Sequence, residues 1–137
     1  MAKNNDTQSE GKSNPILQFS VLCDGVAQGQ GNKPVFIGVF SNFVRTGVVP
    51  QFFIVNRWIY GKGTFKQKIV IKSPDLAKTV VEIPEQEFVL KDEINSADII
   101  NGFVSVNFEK SGVYWVQIML DDKMIMSYPI PVFEQQK

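Results

Sequence analysis

Residues 112–132 read GVYWVQIMLDDKMIMSYPIPV, two apolar runs separated by the acidic pair Asp121 and Asp122. Two turn residues between two apolar strands signal a β-hairpin, although Asp-Asp meets the required positive φ angles less readily than Asn-Gly or Asp-Gly. A two-residue turn fixes the register by counting. Leu120 then faces Lys123, Met119 faces Met124, Ile118 faces Ile125, Gln117 faces Met126, Val116 faces Ser127 and Trp115 faces Tyr128. Side chains alternate across a strand, so Val116, Ile118, Leu120 and Ile125, with Tyr114 beside them, are expected in the core. The opposite face then carries Trp115, Gln117, Met119, Met124, Met126 and Tyr128. Pro129 and Pro131 limit further pairing and point to a sheet edge or a bulge.

The chain upstream of this hairpin follows the same grammar, with runs of Val, Ile, Phe and Tyr broken by Gly, Pro, Asn and Asp and no sustained helical period. Leu17, Phe19, Val21 and Cys23 alternate with Gln18 and Ser20, as in a strand with one buried face. A glycine-rich loop follows from Asp24 to Pro34. Val35 to Phe40 is apolar at nearly every position, which predicts a central strand covered on both sides, with Gly38 leaving room for a close neighbour. Phe52 to Tyr60 is a second such run, and Gly61-Lys62-Gly63 turns the chain into Lys66 to Lys72. There Ile69 and Ile71 face one way and Lys66, Lys68, Val70 and Lys72 the other. Shorter strands are expected at Thr79 to Ile83, Glu87 to Leu90 and Phe103 to Phe108, with a tight helical turn within Ser73 to Ala77. Many short strands without helices or repeats predict an all-β, two-sheet immunoglobulin-like sandwich of about nine strands.

Domain organisation is simple: a polar leader at 1–14, expected to be disordered, a sandwich domain at 15–133 and a short tail at 134–137. No run near the N-terminus resembles a signal sequence, and no window approaches the apolar length of a membrane helix. The single cysteine, Cys23, has no intrachain partner, which favours a reducing compartment, and a cytoplasmic location is expected. The 14 basic and 14 acidic residues cancel, so nothing global draws the chain onto nucleic acid or a membrane surface.

The chain has no histidine, which removes imidazole-based triads and most zinc sites. Cys23 reads as a buried structural thiol rather than a nucleophile. The Gly25 to Lys33 loop lacks the Gly-Lys-Ser/Thr ending and the following helix of a phosphate loop. Asp24 is expected to bond the amides of that loop. Asp121 and Asp122 become calcium ligands only if Asp24, Asp92 or Asp98 gathers with them, and adjacent aspartates at a hairpin tip are usually turn formers.

The segments Leu22-Cys23-Asp24, Val35 to Phe40, Phe52 to Val55, Ser111-Gly112-Val113-Tyr114 and Asp121 to Val132 together resemble a family of small bacterial proteins known only as a domain of unknown function. The resemblance runs from Leu17 to Val132. It departs at the last turn, where the family pattern has Asp-Gly and this chain has Asp121-Asp122. It implies the sandwich fold and leaves function open, and no catalytic residue is carried over.

These readings lead to a non-catalytic protein-interaction or assembly module without a cofactor. Its partner, another protein or a second copy of the chain, would dock on Trp115, Gln117, Met119, Met124, Met126 and Tyr128. Two other readings of that face stay open, in which the leader or the segment Asp92 to Asn101 folds over it. The alternative function is a ligand-binding module for calcium or a glycan, using loop carboxylates or aromatics such as Trp58 and Tyr60, although large aromatics more often fill cores.

Overall fold

A computed structural model describes residues 11–134. The strands are β1 (Ile16–Gln28), β2 (Pro34–Phe40), β3 (Gly47–Ile59), β4 (Gly63–Lys72), β5 (Thr79–Leu90), β6 (Ser96–Phe108), β7 (Gly112–Leu120) and β8 (Lys123–Val132). They form two four-stranded antiparallel sheets, β2-β1-β3-β6 and β5-β4-β7-β8. In immunoglobulin nomenclature β1, β3 and β6 stand where strands A, B and E stand, and β5, β4, β7 and β8 where C′, C, F and G stand. β2 is an addition beside the first strand.

Strand F of such sandwiches commonly carries a tyrosine whose hydroxyl bonds the backbone just upstream. Tyr114 makes this contact, donating to the Lys110 carbonyl at 2.8 Å and accepting from the Lys110 amide at 3.3 Å. The Gly-x-Tyr motif thus locks the crossing from β6 to β7.

Eight strands stand in place of about nine, because the two short runs around Pro84 are one strand, β5, interrupted by an irregularity between Gln67 and Ile69 of its partner. Ser73 to Ala77 forms a hydrogen-bonded turn rather than a helix, with the Leu76 amide on the Ser73 carbonyl at 2.8 Å. Of the expected leader at 1–14, residues 1–10 lie outside the described residues, as do 135–137 of the tail. Lys12 and Ser13 are tied down: Ser13 bridges Lys62, and the Lys12 ammonium lies 4.9 Å from the Phe65 ring centre and 3.3 Å from Asp121.

Between the sheets, aromatic residues fill both ends of the core. At one end Phe43, Phe52, Phe103, Phe108 and Tyr114 stack edge to face and face to face; at the other, Trp58, Phe65 and Phe88 meet. Ile54, Ile69, Ile71, Val116, Ile118 and Ile130 lie in the same buried cluster. Trp58, fully buried, belongs to this core and not to an exposed platform, whereas Tyr60 is exposed.

β2 corrects one expectation. It is an edge strand, not a central one, and Val35, Ile37 and Val39 are exposed. Its apolar run marks a hairpin that bends. Phe36 pairs with Val26, which a straight β1 would carry roughly 20 Å beyond Phe19. Yet the Phe19 and Phe36 rings are 5.7 Å apart, so the end of the β1–β2 hairpin must curl back over the outer face of its own sheet. The bend falls near Gly38, which has φ +66° and sits against the Asp24 carboxylate with no room for a Cβ.

Candidate functional site

The hairpin that decided the fold forms as expected at its tip. Asp121 and Asp122 take φ 48° and 69°, Leu120 faces Lys123 and Met119 faces Met124. Two aspartates suffice because Asp121 is used beyond the turn. Its carboxylate accepts from the Lys66 amide at 2.9 Å and its own amide donates to the Lys66 carbonyl at 2.9 Å, clamping the tip to β4.

Beyond the tip the counted register fails. Ile118 faces Met126, Gln117 faces Ser127, Val116 faces Tyr128 and Trp115 faces Pro129, because Ile125 is an extra residue on β8 that makes a bulge. A bulge shifts pairing by one residue, and a shift of one turns every later side chain to the opposite face. Met126 and Tyr128 therefore point inward and pack against the core, and Ile125 is exposed rather than buried. Trp115, Gln117, Met119 and Met124 do share the outer face. There Trp115 lies opposite Lys72, Gln117 opposite Val70 and Met119 opposite Lys68. The predicted six-residue surface is thus divided between two faces.

Tyr128 makes an inter-sheet hydrogen bond with the Ser20 hydroxyl at 2.9 Å, and burial pushes its phenol pKa up to about 12. The segment Asp92 to Asn101 does not cover the hairpin face, since Ser96 onward is β6 in the other sheet.

The larger apolar surface lies on that other sheet. On its outer face Val39, Cys23, Phe53 and Gly102 form one row across four strands, and Val21, Val55 and Ile100 form the next. The curled hairpin explains why Cys23 and Val55 are fully buried although they lie outside the inter-sheet core. A bulge at Gln18 puts Leu17 into the core and Phe19, Val21 and Cys23 on the outer face, so the four do not share one face. Burial raises the Cys23 thiol pKa, as does the neighbouring Asp24 carboxylate, against a hydrogen bond from Gly25. The covered thiol has little thiolate character. Towards β6 the face is open: Ile100 is 46% and Val104 69% exposed. One end is closed by the Arg57–Asp98 pair at 2.6 and 2.8 Å, with the guanidinium stacked 4.9 Å above the Phe19 ring. The hydrogen-bonded Asp98 holds the Arg57 pKa above its ordinary value.

Sequence reasoning missed this surface because its residues come from four strands whose order cannot be read from one chain. The signal that was present is β6 itself: Ser96–Phe108 has no proline and one charge, Asp98. From Ser96 to Val104 it alternates, with Asn101 and Phe103 buried and Asp98, Ile100, Gly102 and Val104 exposed.

A cleft of about 650 Å³ opens where β5 and β6 diverge, lined by Ser73, Asp75, Lys78, Ser105, Glu109 and Tyr114 among others. Its Asp75 carboxylate is already engaged by the Ser73 hydroxyl at 2.6 Å and the Ala77 amide at 2.9 Å, which hold its pKa below the ordinary value. The carboxylates considered for calcium are dispersed. Asp98 pairs with Arg57, Asp24 packs on Gly38, Asp92 caps its own turn through the Ile94 amide and Asp121 clamps the hairpin. No three His, Cys, Asp or Glu side chains gather among the described residues. Nor is any helix among them long and apolar enough to cross a membrane.

No curated protein matches the chain. A family model does, over residues 18–133. That span holds every strand pairing of the sandwich except those of the first two residues of β1, and the chain belongs to the family of unknown function DUF6941.

Proposed function

We propose that the chain is a non-catalytic protein-association module that pairs with a second copy of itself along the free edge of β6. The observation that carries this reading is the contrast among the four sheet edges. β5 is interrupted at Pro84 and carries Glu82, Glu85 and Glu87; β8 has Pro129, Pro131 and the Ile125 bulge; β2 starts at Pro34 and bends at Gly38. Prolines, charges and bulges are the usual means of blocking edge-to-edge pairing. Before Ser105, whose φ of 53° ends the regular stretch, β6 has no proline and no bulge and a single charge, Asp98.

A two-fold contact needs a self-complementary surface. β6 supplies one: with Gly102 opposite its own copy, Ile100 comes opposite Val104 in both halves, on the same outer face. The one charged residue of β6, Asp98, is neutralised within its own sheet by Arg57. Equal numbers of acidic and basic residues leave no net repulsion between copies. A buried Cys23 suits a reducing compartment such as the cytoplasm.

Sedimentation equilibrium tests the reading with the wild type, Ile100→Lys/Val104→Lys and Trp115→Asp/Met119→Asp, each checked by circular dichroism. Self-association by the wild type that is lost only in the β6 variant is the expected result. A wild type that is monomeric at all concentrations overturns it. Loss of association in the Trp115→Asp/Met119→Asp protein alone moves the interface to the outer face of β7.

A further inference from the structure

A belt of polar side chains crosses the core between its two aromatic ends, where Asn56 and Gln67 are fully buried and Asn101 is 5% exposed. The amide orientations of Gln67 and Asn56 follow from chemistry. An indole N–H can only donate, so the oxygen of Gln67 must face Trp58, and Trp58 Nε1 donates to Gln67 Oε1 at 2.7 Å. That oxygen also accepts from Asn56 Nδ2 at 3.0 Å, which fixes Asn56 with its nitrogen towards Gln67. Two atoms are then left facing elsewhere by necessity: Gln67 Nε2, a donor, and Asn56 Oδ1, an acceptor. Both are buried without a protein partner among the described residues, as are Asn101 Nδ2 and Gln86 Oε1.

These atoms belong to neighbours. Gln86 is the register partner of Gln67 on β5. Asn101 lies one step diagonally from Asn56, since Asn56 faces Ile99 and Ile54 faces Asn101. Diagonal residues on one face are about 7–8 Å apart at the backbone, a span that one bridging molecule between the two side chains can close. The unpaired set comprises two donors and two acceptors, the complement that a molecule both donating and accepting would satisfy. Buried polar groups in native proteins are almost always paired, with protein or with ordered water.

We propose that the sandwich contains an internal water-binding site whose ligands are Gln67 Nε2, Asn56 Oδ1 and Asn101 Nδ2, with Gln86 Oε1 at its β5 side. Water bound there donates to Asn56 and Gln86 and accepts from Gln67 and Asn101. The site ties β3 and β6 of one sheet to β4 and β5 of the other.

Two measurements on the full chain test it. In isotope-labelled wild type, the side-chain amides of Gln67 and Asn101 should show direct cross-relaxation with water of the sign that marks residence longer than molecular tumbling. Asn101→Leu provides a thermodynamic readout of opposite sign for the two cases. If water is bound, removing one ligand strands the others, and the unfolding equilibrium constant should rise roughly tenfold. If none is bound, the substitution removes an unpaired buried amide and the constant should fall. Absence of water cross-relaxation at both amides, or a stabilised Asn101→Leu protein, overturns the proposal. A variant too unstable to measure leaves the wild-type spectrum to decide.

Discussion

Held between the sheets with its hydroxyl on Ser20, Tyr128 is the residue whose ionisation couples most directly to folding. Its pKa rises to about 12 because burial disfavours the phenolate, with the Ser20 bond opposing in the smaller degree. An unfolded tyrosine titrates near 10. Above that pH the unfolded chain releases this proton while the folded chain keeps it. The contribution to stability is therefore fully present below about pH 10 and is lost as pH rises towards 12. A shift of this size corresponds to roughly 2 kcal/mol over the window. Denaturant unfolding at pH 8 and pH 11.5 should show the wild type losing about that much more stability than Tyr128→Phe, which has no phenol to titrate. Parallel losses in the two proteins would mean that the hydroxyl reaches solvent. Nothing in the local sequence marks Tyr128 for this role, because both faces of its strand carry apolar residues. Gly38 was legible, by contrast: a glycine within an apolar run signals a close neighbour, and the Asp24 carboxylate is that neighbour.

At the level of strands, turn chemistry was readable and bulges were not. The two-residue separation located the hairpin, and the alternation of Ile69 and Ile71 with Lys66, Lys68 and Lys72 gave the faces of β4 correctly. Ile125 and Met126 are both apolar, so alternation could not say which of them is skipped, and counting straight through sent Met126 and Tyr128 to the wrong side. Gln18 displaced β1 in the same way. The observed register makes a specific prediction. Deleting Ile125 removes the bulge and leaves Met124 opposite Met119, Met126 opposite Ile118 and Tyr128 inside. Stability should change by no more than about 1 kcal/mol, and the phenol should still titrate well above 10. Under a register without the bulge, Tyr128, Ile130 and Val132 would lie on the outer face of the wild type, and the same deletion would turn all three inward. A deletion variant that unfolds, or in which Tyr128 titrates differently from the wild type, contradicts the bulged pairing.

For the whole molecule, the sequence showed that this is a sandwich and which residue types fill it, since period and turn signals are local. The candidate surface was not legible, because Ile100, Phe53 and Val39 come together only once strand order is known. Strand order also leaves three sheet edges blocked and one open, and the open one adjoins the exposed apolar face. If two chains join along β6, unfolding and dissociation are linked, and stability must depend on concentration. A tenfold increase in protein contributes about 1.4 kcal/mol per dimer. Divided by the unfolding entropy of two chains of this length, that raises Tm by roughly 2–3 °C per decade. Thermal unfolding over two decades of concentration should show this slope in the wild type and none in Ile100→Lys/Val104→Lys. A flat wild-type Tm would mean that the chain unfolds as a monomer, which overturns pairing along β6.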